Sequence, residues 1–105
     1  MPTIEIYRAK IDPAKVERLL EIRADAVAEF QEQVPELVRA ELVQLDDDVW
    51  LDILVWSEPV DEERIAQASQ RTPTAAEMHS LITDVLSHDR GEIVHSTYSA
   101  WATAR

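Results

Sequence analysis

Val49-Trp50-Leu51-Asp52-Ile53-Leu54-Val55-Trp56 is a run of eight residues with one charge, Asp52, and two of the chain's three tryptophans. No other stretch constrains the fold as tightly. A strand this apolar needs cover on both faces of its sheet, unlike a half-buried strand in which polar and apolar residues alternate. Asp52, in its middle, is the residue that packing alone does not account for.

The run sits in a chain of 105 residues, the length of a single domain spanning 1–105. Its 46 % hydrophobic content predicts a globular core. The formal charge of −11 disfavours nucleic acid and anionic membrane surfaces as partners. No apolar run approaches the roughly 20 residues of a membrane span, and Met1-Pro2-Thr3 leads straight into a strand, so the chain is read as cytoplasmic. Cysteine is absent, which removes disulfides and thiolate metal sites, and the single glycine, Gly91, leaves no Gly-rich phosphate loop.

In chain order, Thr3 to Ile11 reads as a strand that places Ile4, Ile6 and Arg8 on one face and Glu5, Tyr7 and Ala9 on the other. Asp12-Pro13 starts a helix by capping and by proline at its first position. Val16, Leu19, Leu20, Val27, Phe30 and Val34 carry the helix to about Gln33. Arg23 lies on that stripe, with its stem snorkelling past the core edge or, alternatively, with its cation aimed into a pocket. Pro35-Glu36 ends the helix, and Leu37 to Leu45 forms a second strand. A two-residue turn at Asp46-Asp47 then sets Val38 against Val55, Ala40 against Ile53 and Leu42 against Leu51, a wholly apolar face. The opposite face pairs Arg39 with Leu54, Glu41 with Asp52 and Val43 with Trp50. A three-residue loop over Asp46 to Asp48 would mix Arg39 and Glu41 into the apolar face, so the two-residue turn is preferred. A helix over about Val60 to Gln70 follows, then one with a capping-box pair at Thr74 and Glu77 and an apolar stripe of Met78, Leu81, Ile82, Val85 and Leu86. His79 borders this stripe. His88-Asp89-Arg90-Gly91 reads as a turn, Glu92 to Trp101 as the last strand, and Ala102 to Arg105 as a loose tail.

This βαββααβ order predicts an α+β, ferredoxin-like fold: a four-stranded antiparallel sheet with its helices on one face. The bare face would expose Val38, Ala40, Leu42, Leu51, Ile53 and Val55 with Ile4 and Ile6, too large a patch for a monomer, so a homodimer by sheet-to-sheet packing is expected.

With the proline that ends the first helix before the second strand and the step Trp56-Ser57-Glu58 that closes the third, this order resembles the antibiotic biosynthesis monooxygenase family of dimeric α/β barrel proteins. Where the family commonly has a glycine after the proline and another in the hairpin, this chain has Glu36 and the Asp run. The resemblance implies an oxygenase that needs no cofactor and acts on a small apolar molecule such as a polycyclic aromatic anthrone. The family's anthrone oxidases carry an Asn four residues before the strand-ending Trp, a Tyr in the next helix and an Arg in the third. The positions here are Asp52, Trp56, Glu62 and His79, so only the Trp is kept. The haem-degrading members' pattern is met by His79 alone, with Tyr7 at the first position, and haem is not expected.

On the helix-facing side the preferred register gathers Arg39, Glu41, Trp50, Asp52, Leu54 and Trp56, joined by Tyr7 and Glu5 if the first strand presents them there. Asp52 and His79 are the candidate catalytic bases. Trp50, Trp56, Tyr7, Arg23, Arg39 and Glu41 are candidate substrate contacts, with no metal site. Each has a plainer reading: the tryptophans as core, His79 as a helix-edge residue, and Arg23 and Arg39 as counter-ions that neutralise Asp52 and Glu41. The alternative functions are a non-enzymatic binding or structural dimer of the same fold, and cyclase or isomerase chemistry with the same acid and base.

Overall fold

A computed structural model describes residues 1–82 and 84–98 of the chain. Four strands and three helices follow in the expected order: β1 (Thr3–Lys10), α1 (Pro13–Gln33), β2 (Leu37–Gln44), β3 (Val49–Trp56), α2 (Glu62–Gln70), α3 (Pro73–Leu81) and β4 (Asp84–Glu92). The sheet has the order β2-β3-β1-β4 with every neighbouring pair antiparallel, so the apolar β3 and the N-terminal β1 occupy the centre. The fold is α+β and ferredoxin-like. Among the described residues no helix is long and apolar enough to cross a membrane.

Helix α1 begins as its sequence dictates. The Asp12 carboxylate accepts the Ala14 N–H at 2.9 Å and Pro13 takes the first turn, where a missing donor costs nothing. It buries Leu19, Ile22, Ala26 and Phe30, a stripe rotated slightly from the expected one, and Leu20 is left 55 % exposed. Helix α3 is bound to α1 by charge as well as by packing. Arg18 donates to both oxygens of Glu77 at 2.7 and 3.0 Å, and Glu29 accepts the Thr74 N–H at 2.9 Å. The cap of α3 is therefore supplied from α1, not by the Thr74/Glu77 box, and Glu77 serves as an inter-helix anchor.

Two further expectations are corrected. The β2–β3 hairpin uses the three-residue loop over Asp46 to Asp48: the Leu45 N–H donates to the Val49 carbonyl at 2.9 Å, and Leu42 stands opposite Asp52, Glu41 opposite Ile53 and Arg39 opposite Val55. Two-residue hairpin turns need positive φ, and no non-glycine residue of the described chain adopts it. The one-residue slip also moves Arg39 and Glu41 to the face away from the helices. There their charges stay in water and pair with each other at 2.7 Å, which avoids the cost of burying both ions. A bulge between Leu37 and Arg39 lets Leu37 remain opposite Trp56 and buried. Ala40 and Leu42 are consequently replaced on the open face by Arg39, Glu41 and Val43, beside Ile4, Ile6, Leu51 and Ile53, while Val38 stands unpaired in the bulge and Val55 is buried.

The second correction concerns the last helix and strand. Helix α3 stops at Leu81, and Val85 through Glu92 already belong to β4. His88-Asp89-Arg90-Gly91 is a paired strand segment and not a turn, with His88 opposite Tyr7 and Arg90 opposite Glu5. No strand continues through 93–98; residues 99–101 of the expected strand and the tail at Ala102 to Arg105 lie outside the described residues.

Candidate active site

The helix layer and the sheet line a cavity of about 620 Å³ that is open to solvent on one side. Its walls are apolar side chains of all three helices, among them Phe30, Ile65 and Met78, and its floor is the inward face of the sheet. Alternation along β3 sends Trp50, Asp52, Leu54 and Trp56 inward, as expected, and the β1–β3 register sets Ala9, Tyr7, Glu5 and Thr3 opposite them. Both tryptophans are buried, and Trp56 meets Phe30 edge to face with centroids 6.5 Å apart. Their indole N–H groups are buried donors that have no hydrogen-bond partner among the described residues.

Polar groups enter the apolar cavity in two clusters. In the first, Arg23 reaches from α1 to Asp52 and holds both carboxylate oxygens, at 2.7 and 3.2 Å, with the two side chains only 12 % and 14 % exposed. Arg23 is thus the cation aimed into a pocket, and its fork fits a carboxylate bidentately. One Arg23 nitrogen also lies 3.5 Å from the Met78 sulfur. His79, from α3, lines the same cavity. Loss of hydration lowers its pKa, with Asp52 pulling it up and Arg23 pushing it down, so its imidazole is neutral around pH 7.

The second cluster centres on Glu5, which is 5 % exposed. Three donors converge on one oxygen, Oε2: the Tyr7 hydroxyl at 3.1 Å, His88 Nε2 at 2.7 Å and Arg90 Nη2 at 3.3 Å. The Tyr7 and His88 rings stack face to face, 4.2 Å between centroids and 2° from parallel. Burial first, then the Glu5 charge and hydrogen bond, push the Tyr7 hydroxyl up to about 12, so it stays a donor.

Of the residues singled out from sequence, Tyr7, Arg23, Trp50, Asp52, Trp56 and His79 surround one cavity. Arg39 and Glu41 do not, because the hairpin slip carries them to the opposite face. His88 and Arg90 were hidden by their reading as a turn, since Val85 and Leu86 extend the helical spacing of α3. The β-branched pair Ile82-Thr83 before Asp84 was the available signal for an earlier strand.

No family model matches the sequence, and neither does any of the curated proteins. Solved structures do match its fold. The cofactor-independent oxygenase SnoaB from Streptomyces nogalater is 21 % identical, with 92 % of this chain and 97 % of that one aligned at a TM-score of 0.59. A proposed antibiotic biosynthesis monooxygenase from Bordetella bronchiseptica is 13 % identical over 90 % and 98 % of the two chains, at a TM-score of 0.70. The chain has the fold of the antibiotic biosynthesis monooxygenases. A third such structure, from Chloroflexus aurantiacus, is 19 % identical over 91 % and 96 %, at a TM-score of 0.62.

Proposed function

We propose that the chain is an oxygenase that works without a cofactor on a small, largely apolar and planar molecule held between sheet and helices. The observation that carries this reading is the cavity itself, in which indole and aliphatic walls surround a few polar groups able to hold charge and accept protons. For an anthrone-like substrate, a base removes a proton from the activated CH₂. The carbanion gives its electrons to dioxygen and forms a hydroperoxide on that carbon. Loss of the second C–H proton with hydroxide leaves a carbonyl, so one oxygen atom enters the product and the other leaves as water. The apolar walls limit reprotonation of the carbanion by solvent.

In this reading Asp52 is not a free base. With both oxygens engaged, it holds Arg23 as a fixed cation against which negative charge on the substrate can develop. His79, neutral near pH 7, is able to take a proton at the α3 side. The open sheet face, with Ile4, Ile6, Leu51 and Ile53 at its centre, is assigned to a second copy of the chain, which gives a homodimer.

The test is dioxygen uptake with anthrone as substrate. One O₂ consumed per quinone formed, above the uncatalysed rate and at least about 10²-fold lower in Arg23→Met, supports the reading. Binding of anthrone without uptake points to the second reading, a binding protein, which the neutralisation of Asp52 by Arg23 favours.

A further inference from the structure

The Glu5 cluster has the construction of an oriented base. A carboxylate accepts hydrogen bonds and donates none, so the 2.7 Å contact places the imidazole hydrogen of a neutral His88 on Nε2 and leaves the lone pair on Nδ1. No hydrogen bond to Nδ1 is present among the described residues, and the side chain lines the cavity. The parallel stack on Tyr7 fixes the plane of the ring, and Glu5 fixes its rotation. A positive charge arising on His88 would lie beside the Glu5 carboxylate, which is 7 % exposed at its side chain. Nucleophile-activating and proton-abstracting histidines are built in this way, with a buried carboxylate behind the ring. Asp52 has no such freedom, and no hydrogen bond orients His79 among the described residues.

We propose that Glu5 and His88 form the principal proton-accepting pair of the cavity, His88 taking a proton from an acidic O–H or C–H of the bound molecule and Glu5 positioning the ring. The proposal rests on the cavity being the ligand site. The proton moves to Nδ1, the electron pair of the broken bond stays on the ligand, and Glu5 keeps its hydrogen bond to Nε2. Tyr7 and Arg90 share the Glu5 oxygen without competing for the proton, since a hydroxyl raised to about 12 and a guanidinium both stay donors near neutrality. The other charged or titratable groups around the cavity are Asp52 from β3, Arg23 from α1, Glu62 from α2 and His79 from α3.

A chromogenic phenol reads the step without turnover. With 4-nitrophenol near its own pKa, titration with excess protein reports binding from the isothermal heat and proton transfer from the phenolate absorbance. The bound probe is expected to shift toward phenolate by about tenfold in the phenolate-to-phenol ratio, the change that one pKa unit represents. His88→Gln keeps a donor for Glu5 but cannot take the proton, and it should bind the probe with the shift abolished. Glu5→Gln should reduce the shift. Binding with no shift in the wild type, or a shift that survives His88→Gln, overturns the assignment of His88 while leaving the ligand site standing. Absence of saturable heat overturns the ligand site and this proposal together.

Discussion

At the scale of single residues, Asp52 shows how burial decides chemistry. A lone carboxylate in an apolar strand is costly, and the chain meets that cost with a bidentate guanidinium from α1. Asp52→Ala strands Arg23 as a largely buried cation and should lower stability by roughly 3 kcal/mol in urea unfolding. Arg23→Met combined with Asp52→Leu should recover much of that loss, because the pair is replaced as a unit. Tyr7 gives a pH signature. Its folded pKa, about 12, lies above the ordinary value of about 10, so the folded state holds the proton more tightly. The resulting stability is complete below pH about 10 and is lost as pH rises toward 12. Tyr7→Phe should flatten alkaline unfolding over that window, as followed by circular dichroism. His79 has the opposite sign. With its folded pKa lowered, its contribution is present above the ordinary histidine value and is lost as pH falls through the folded one.

At the scale of elements, β1, α1, β2 and β3 were legible in the sequence because each carries both a periodic pattern and a boundary signal: Asp12-Pro13 at the start of α1, Pro35 at its end, the Asp run before β3. The inward face of β3 followed from alternation alone. The register of β2 did not, since polarity segregation argued for one turn and backbone strain, together with the cost of burying Arg39 and Glu41, for the other. Half of the candidate site depended on where α3 stops. Helical spacing through Val85 and Leu86 fits both a helix and the start of a strand, and only long-range pairing with β1 decides between them. The packing of α1 is tested by Leu19→Ala. Leu19 is fully buried in the layer that roofs the cavity, and its truncation should cost about 3 kcal/mol in urea unfolding.

At the scale of the whole molecule, the sheet is asymmetric. One face meets the helices across the cavity, and the other presents Ile4, Ile6, Leu51 and Ile53, with the Arg39–Glu41 pair beside them. Closing that face against a second copy, as proposed, would remove apolar surface. Sedimentation at micromolar concentration should give a dimer that Ile53→Lys dissociates; a wild-type monomer there would contradict the assignment. The proposed dimer face and the proposed ligand site lie on opposite faces of the sheet, so Ile53→Lys should leave ligand affinity within a few-fold of wild type.

Calorimetric titration with anthrone distinguishes a ligand-binding cavity from a void that takes no ligand. Ala66 is exposed yet lines the cavity, so Ala66→Trp can block it without overpacking the core. Saturable binding of one anthrone per chain, abolished in a folded Ala66→Trp variant, is the predicted result. No saturable heat, or binding unchanged by Ala66→Trp, would contradict it.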